Sequence, residues 1–198
     1  MKSLLLVPAA CVLLSALQPD HEVGTTAAGS ANWKIDPVHS SAIFCIKHAN
    51  ASKFYGMFKA VNGEFTIDTD KPENSKIEAS IATETIVTHN EDRDKHLRSP
   101  DFFDVKQFPL LKFTSTKVAK KGGDSYEVGG EVEMRGKKAV VTATVTKIGE
   151  GEFQGKRIGY EAVFTLKRSD FGMTYGIDKK VLSDEVQVTI SVEGVVKK

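Results

Sequence analysis

Apolar and polar residues alternate along most of the chain from Ser40 onward. This period of two is typical of β-strands with one buried face and one solvated face. Gly-rich or charged turns, such as Lys120 to Gly123 and Gly149 to Gly151, separate the alternating segments and favour antiparallel connections. The pattern predicts about eight strands, near residues 42–48, 54–68, 77–82, 110–118, 126–134, 141–146, 160–166 and 186–192.

The alternation changes parity once within a single predicted strand. Its buried positions run from Phe58 and Ala60 to Phe65 and Ile67, across Asn62 and Gly63. A tight hairpin or a Gly-centred bulge would produce this change. We favour the bulge, because residues 54–68 are too few for two strands of the length seen elsewhere in the chain.

Several of the predicted strands run for about ten residues, roughly 33 Å at 3.3 Å per residue. Long antiparallel strands with uniform alternation predict an all-β fold, an extended eight-stranded up-and-down barrel whose interior can hold one small ligand. The outward positions carry Glu, Lys, Thr and Gln, whereas a membrane barrel has an apolar outer surface.

The N-terminus has the features of an export signal. Lys2 precedes an apolar run from Leu4 to Leu17, which is shorter than the roughly 20 residues of a transmembrane helix, and a stretch of small and polar residues follows it. We therefore predict an export signal and leader over residues 1–30, one barrel domain over residues 31–198, and no transmembrane span. The protein is expected in the periplasm or outside the cell.

The charge distribution bears on the choice of partner. The formal net charge of the chain is +1, and no basic stripe with interleaved aromatic residues occurs. Nucleic acid is therefore not expected as a partner. Cys45 is the one cysteine beyond the leader, so no internal disulfide is expected.

The segment from Thr85 to Pro109 breaks the strand pattern. Thr88 and Glu91 have the spacing of a capping box, which predicts a short helix over residues 90–99 that ends at Pro100. Phe102 and Phe103 follow in a turn. We interpret residues 88–104 as a helical lid whose rings cover the barrel interior and whose Arg93, Asp94 and His96 face the rim. A plain connecting helix is the alternative.

Asp36, His39 and Ser40 combine residue types that occur in nucleophilic catalysis. Three polar residues this close together more often fix a turn, and no G-x-S-x-G elbow exists in the chain. His48 continues the apolar face of its strand and could meet the polar head of a ligand. Because the histidines lack the H-x-H or H-x-x-x-H spacing of metal sites, no metal and no catalytic residue is predicted.

Arg168 follows a predicted strand at the start of a long loop. Its planar guanidinium could pair with a phosphate or with a carboxylate at the rim. An ion pair that anchors the loop is the alternative.

Four segments, in order, resemble the YceI-like family of polyisoprenoid-binding proteins. They are WKIDPVHSSAIFCIKH, RDKHLRSPDFFDVKQFPLLKF, the G-x-V-x-M-R-G-K stretch from Gly130 to Lys137, and LKRSDFG. The resemblance implies an extended lipocalin-like barrel with an internal hydrophobic channel. It also implies export to the bacterial envelope and binding of a polyprenyl phosphate, a quinone or another long apolar chain, with no cofactor other than that lipid.

The candidate binding residues come from two sources. The family's motif residues fall on Phe102, Phe103 and Phe171 at the lid and channel, while alternation alone assigns a further set to the channel lining: Phe44, Ile46, Phe65, Phe113, Val145 and Phe164. The motif residues expected at the ligand head group and the channel mouth are Asp36, His39, Ser40, His48, Arg93, Asp94, His96 and Arg168.

Two other functions stay open at this point. One is an enzyme that acts on a lipid head group with His39, His48 or His96 as acid or base. The other is an interaction module with a filled core. The sequence leaves open the identity and length of the ligand, a carrier or a storage role, the signal cleavage site and the oligomeric state, with a homodimer as one alternative.

Overall fold

The computed structural model describes residues 31–196, so the predicted export signal and leader lie outside the described residues. The described part contains strands throughout and one short α-helix, α1 (Glu91–Leu97). The strands are β1 (Ala31–Ile35), β2 (Ser41–His48), β3 (Ser52–Phe58), β4 (Asn62–Ile67), β5 (Lys76–Ala82), β6 (Ile86–Val87), β7 (Leu110–Gly122), β8 (Ser125–Met134), β9 (Lys137–Glu152), β10 (Lys156–Lys167) and β11 (Leu182–Val196).

Eight of these strands form a closed antiparallel barrel. Their order is β1-β4-β5-β7-β8-β9-β10-β11, and β1 pairs with β11 to close the ring. The predicted eight-stranded barrel is therefore confirmed. Within the described residues, no helix is long and apolar enough to cross a membrane.

One part of the wall is built in two levels. The edge of β11 pairs with β2 along Leu182–Ser191 and with β1 along Gly194–Val196. On their other edges, β2 pairs with β3 and β1 pairs with β4. Strands β2, β3 and β6 therefore form the wall at the end that carries α1, the helix end. Strands β1 and β4 form it at the opposite, far end.

This arrangement corrects the prediction of a bulged strand over residues 54–68. Strands β3 and β4 do not pair with each other. The chain between them, residues 59–61, passes from the wall at the helix end to the wall at the far end. The parity switch marks a change of partner strands. The predicted number of barrel strands is right, but β1 was missed and β2 belongs to the additional level.

The predicted helix is present, although its start differs from the capping-box prediction. Asn90 is the N-cap, and its side-chain oxygen accepts a hydrogen bond from Arg93 N at 2.9 Å. The Thr88 hydroxyl instead bonds the carboxylate of Asp94. The helix ends at Leu97, before Pro100: the N–H of Ser99 bonds the His96 carbonyl three residues back, and the chain then turns into Phe102 and Phe103.

Along each strand, every second side chain faces the interior of the barrel. Toward the far end the buried side chains include Phe65, Tyr126 and Tyr160. A second buried group lies beneath the helix end, where Phe102 and Phe171 pack against the ends of β8 and β9. The space between these two groups holds the site.

Candidate functional site

A cavity of about 590 Å³ occupies the interior of the barrel. This volume lies within the range of small-molecule binding sites, about 300–1,000 Å³. Its walls are almost entirely apolar side chains from the inward faces of the strands. They include Ala42, Phe58, Val61, Ile77, Ala79, Leu111, Val128, Val132, Ala143, Ala162, Leu166, Val188, Ile190 and Val192.

The structure places all six residues that alternation assigned to the lining in the cavity wall: Phe44, Ile46, Phe65, Phe113, Val145 and Phe164. They come from five different strands, and β-strand alternation alone brings them to one interior. Whether each contacts a ligand stays a prediction.

Large rings line the cavity without filling it, because they lie against glycines on the inward face. A Cβ added at Gly56 would lie 2.3 Å from Cζ of Phe44, and a Cβ added at Gly130 would lie 2.3 Å from Cζ of Phe113. Contacts this short do not occur between non-bonded carbons. Each ring therefore lies flat along the wall in the space that a side chain would otherwise occupy.

The two phenylalanines of the predicted lid both reach the cavity. Phe103 contacts the Phe58 ring edge-on, with ring centroids 5.4 Å apart. Phe102 is 7% exposed and packs against His96 and Tyr175, with centroids 5.0 and 5.3 Å apart. The structure thus places the turn after α1 across the helix end of the cavity.

Phe171 does not line the channel, where it was predicted to lie. It is 1% exposed and packs in the buried group with Phe102, Val132 and Met173, but it does not line the cavity. It belongs to the short 3₁₀ helix Arg168–Phe171, which places its ring in the buried group at the helix end.

The cavity opens at the helix end. Exposed lining residues there come from the β2–β3 hairpin, from α1 and from the loop before β11: His48, Ser52, Arg93, Tyr175 and Val181. The hairpin and the loop are joined by a hydrogen bond from Ala49 N to the Val181 carbonyl, 2.7 Å long. The opening therefore lies between α1 and this joined pair of turns.

Arg93 and Asp94, both predicted at the mouth, have different roles. Asp94 is 8% exposed, and its carboxylate accepts hydrogen bonds from the backbone N–H and the hydroxyl of Thr88. It therefore fixes the start of α1 and does not face the opening. The Arg93 guanidinium lies 4.1 Å from the centroid of the Phe54 ring and donates to Thr88, with Nη2 2.7 Å from its carbonyl oxygen. Arg93 borders the cavity.

His48 and His96 also border the opening. His96 Nε2 lies 2.9 Å from Oδ2 of Asp101, and its ring packs edge-on against Tyr175 at 4.9 Å. His48 ends β2, where it pairs with Ser52 across the hairpin. Both side chains are accessible from solvent and from the cavity.

Arg168 lines the cavity but is held by the backbone. Its Nε, Nη1 and Nη2 donate to the carbonyls of Ser183, Met173 and Leu182 at 2.8, 3.0 and 3.3 Å. Burial lowers the pKa of the guanidinium, and the nearby Asp184 carboxylate opposes this effect. Arg168 anchors the loop before β11, as the structural alternative held, but through carbonyl groups and not through an ion pair.

The charged side chains of the cavity wall are all basic. Arg93, Arg168 and Lys112 line it together with His48 and His96, and no Asp or Glu does so among residues 31–196. Two of these groups have acidic partners that do not line the cavity: Lys112 pairs with Glu133 at 3.5 Å and His96 with Asp101 at 2.9 Å. The opening therefore favours an anionic or polar group over a cation.

Asp36, His39 and Ser40 do not lie at the mouth, contrary to prediction. They surround Glu193 on the outer side of β11, near the β9–β10 turn, and none of them lines the cavity. Arg157 Nη1 donates to Asp36 at 2.8 Å and to Glu193 at 2.6 Å. The Ser40 hydroxyl accepts a hydrogen bond from Glu193 N at 3.0 Å. These residues tie the segment after β1 to the barrel wall.

This outer cluster does not suit a metal ion. Ligand atoms of Asp36, His39 and Glu193 lie within 4.8 Å of one another. However, the Arg157 guanidinium forms ion pairs with both carboxylates, and its positive charge opposes a cation at the same place. His39 belongs to this cluster, whereas His48 and His96, the other two candidates of the enzyme hypothesis, border the cavity.

Sequence reasoning missed several residues of the opening. Tyr175, Met173 and Val181 lie in the loop before β11, which carries no periodic pattern. Phe54 was recognised as part of an alternating strand, but its contact with Arg93 joins two distant segments. Only the folded barrel brings these residues together.

Comparison with known proteins agrees with this geometry. A family model described as the YceI-like domain matches residues 33–194. The chain is similar to Protein YceI of Salmonella newport (strain SL254), with 40% identity over 178 residues that cover 88% of this chain and 92% of that protein.

Solved structures share the architecture. BcnA of Burkholderia cenocepacia superposes with a TM-score of 0.73 at 25% sequence identity, over 80% of this chain and 98% of that chain. A polyisoprenoid binding domain from Saccharophagus degradans superposes with a TM-score of 0.64 over 85% of this chain and 100% of that chain. Because its identity is 15%, this second likeness shows the shared fold.

The substitution Gly130→Ala tests the fit between ring and glycine. The new methyl group would overlap the Phe113 ring, so we expect a loss of about 1–3 kcal/mol in the free energy of unfolding. Gly129→Ala is the matched control, because a Cβ there would meet its nearest atom at 3.8 Å. Urea denaturation of both variants measures the difference, and equal stability would contradict the proposed fit.

The Asp36 cluster predicts a pH dependence of stability. Hydrogen bonds from the His39 ring, the Val38 N–H and the Arg157 guanidinium hold the pKa of Asp36 well below its ordinary value of 3.8. The resulting stabilisation is present above pH 3.8 and is lost as the pH falls below it toward the folded-state pKa.

Asp36→Asn should therefore lower the free energy of unfolding at neutral pH by about 2 kcal/mol and weaken its decline in acid. Denaturant titrations at several pH values measure both effects. Asp92→Asn, which changes an exposed carboxylate on α1, is the control. A variant with the same acid profile as the unchanged protein would disprove the role of Asp36.

Proposed function

The chain belongs to the YceI-like family, and we propose that it binds a long-chain isoprenoid or a similar amphipathic lipid in the bacterial envelope. The apolar chain lies inside the barrel, and the polar head group lies at the opening beside α1. The protein carries or stores this lipid without changing it chemically.

The apolar cavity is the observation that carries the proposal. On β10 the lining runs from Tyr160 to Leu166, which is about 20 Å along the strand at 3.3 Å per residue. A narrow apolar space of this depth matches a hydrocarbon chain better than a compact polar metabolite. Burial of the chain would contribute roughly 25 cal/mol for each Å² of apolar surface removed from water.

The basic opening favours a lipid with an anionic head group, and hence a polyprenyl phosphate over a quinone. Arg93 borders the opening, and although its Nε and Nη2 donate to Thr88, its Nη1 can donate to a phosphate. His48 and His96 lie near enough to the same opening to add donors. Arg168 uses its donors on backbone carbonyls, so we assign it to the architecture of the site.

The relatives are compatible with this proposal. The similar YceI protein comes from Salmonella, a bacterium, and the Saccharophagus domain is described as polyisoprenoid binding. A role in the envelope also depends on the export signal predicted over residues 1–30.

The two other functions have less support. A filled interaction module is difficult to reconcile with a cavity of about 590 Å³. An enzyme could use His39, His48 or His96 as its acid or base, but His39 lies in the outer cluster with Arg157, away from the cavity. His48 and His96 remain available as polar contacts for a head group.

The direct test is the lipid content of the protein purified from its bacterial host. We expect native mass spectrometry to show a bound species, and organic extraction to release a long-chain lipid. The delipidated protein should melt at a higher temperature when a polyprenyl phosphate is added. Repeatedly empty protein that no prenyl lipid stabilises would refute the proposal.

A second prediction concerns the head group. Arg93→Gln should weaken the binding of a prenyl phosphate about tenfold while changing the affinity for the matching prenyl alcohol little, because a hydrogen bond to a charged group contributes about 1.5 kcal/mol. Lys95→Gln removes an exposed positive charge from the same helix and is the control, since Lys95 does not line the cavity.

Competition binding with a fluorescent lipid gives both affinities. If Arg93→Gln weakens the phosphate and the alcohol equally, then Arg93 only supports the lid, through Phe54 and Thr88. Arg93→Lys, which keeps the charge but lacks the planar fork, should give an intermediate result.

A further inference from the structure

On most strands the cavity lining ends inside the barrel, before the far end. On β8 the lining stops at Val128, and the next inward residue, Tyr126, is buried but does not line it. On β10 the lining stops at Tyr160, and Ile158 follows below. The same change occurs on β1 between Ile35 and Trp33 and on β9 between Val145 and Lys147. On β7 the lining ends nearer the helix end, at Phe113, which pairs with Val132, and on β4 it continues past Phe65 to Ile67.

Aromatic rings form the surface on which the cavity ends. The Phe65 ring meets the Tyr160 ring edge-on, with centroids 5.7 Å apart, and both residues are 4% exposed. Trp33 stacks on the other side of Phe65, with centroids 6.5 Å apart and planes inclined by 17°. We name Trp33, Phe65 and Tyr160 the aromatic floor.

A glycine on β11 sets the height of this floor. A Cβ added at Gly194 would lie 2.5 Å from Cζ of Phe65 and 3.1 Å from Cβ of Trp33. The Phe65 ring thus occupies the place of the missing side chain. Trp33 pairs with Phe65 across β1 and β4, so both side chains lie beside Gly194. A methyl group at Gly194 would push the Phe65 ring up into the cavity.

We propose that the aromatic floor limits the length of the apolar chain that the barrel accepts, and that the fit of Phe65 over Gly194 sets this limit. The inference rests on the proposed function, since it names the part of the lipid-binding cavity that selects chain length. A chain longer than the cavity would leave its excess carbons in water at the opening, where they gain no burial energy. The floor therefore discriminates by length, whereas the opening discriminates by head group.

Two substitutions should move the limit in opposite directions. Gly194→Ala raises the floor. The longest chain that still raises the melting temperature should then be shorter by about one isoprene unit. Phe65→Ala removes the ring and should lengthen it by about one unit. Phe65→Leu is a milder form of the second change, for use if the alanine variant does not fold.

Matched controls are available on neighbouring strands. Gly159→Ala adds a methyl group beside β11, where its nearest atom lies 3.5 Å away, and should leave the limit unchanged. Phe113→Leu makes the same change as Phe65→Leu, but in the side wall above the floor. It should alter overall affinity without altering the length limit.

The experiment uses delipidated protein and a series of all-trans prenyl alcohols from geraniol to solanesol. The melting temperature is recorded with each alcohol, and native mass spectrometry confirms one bound molecule. We expect the melting temperature to rise with chain length up to a limit and then to level off. That limit should shift to shorter alcohols in Gly194→Ala and to longer ones in the Phe65 variants.

The possible failures are distinguishable. If the unchanged protein has a length limit that Gly194→Ala and the Phe65 variants leave in place, the floor inference is overturned and the proposed lipid binding stands. If no prenyl alcohol binds the unchanged protein, lipid binding itself fails and the floor inference fails with it. A limit that Phe113→Leu shifts as far as Phe65→Leu would also overturn the special role of the floor.

Discussion

The open interior of this barrel depends on the fit between phenylalanine rings and inward-facing glycines. An eight-stranded barrel is only just wide enough for its side chains, so large inward rings would ordinarily fill it. Here the rings of Phe44 and Phe113 lie in the spaces left by Gly56 and Gly130. The aromatic rings are therefore packed against the wall, and the centre of the barrel stays open. Phe65 over Gly194 repeats the fit at the far end, where it contributes to closing the cavity.

The two-level wall explains why the cavity is closed at one end and open at the other. At the far end β1 and β4 complete the barrel, and the aromatic floor fills the lumen between them. At the helix end β2, β3 and β6 take over, and α1 with its aromatic turn lies across them. Because a hairpin, a short helix and a loop meet there, the opening has polar edges that the continuous barrel wall could not provide.

Most of the polar residues that the sequence predicted at a ligand site instead hold these segments in place. Asp94 fixes the start of α1, Arg168 gathers three carbonyls of the loop before β11, and Arg157 joins Asp36 to Glu193 on the outside. A buried charge is tolerated only with such partners. Of the residues expected at the head group, Arg93, His48 and His96 border the opening, although Arg93 also donates to Thr88 and His96 pairs with Asp101.

The sequence by itself determined the barrel, the short helix and the apolar lining, because each depends on local periodicity and propensity. Alternation has a period of two whatever the partner strand, so it assigned Phe44 and Phe164 to the interior correctly. It could not show that β3 and β4 have different partner strands. Nor could it show that Phe171 packs in the buried group at the helix end, or that Asp36 and His39 lie on the outer surface of the barrel. Those outcomes depend on contacts between residues far apart in the chain. Only the tertiary structure decided them, through strand register and steric fit.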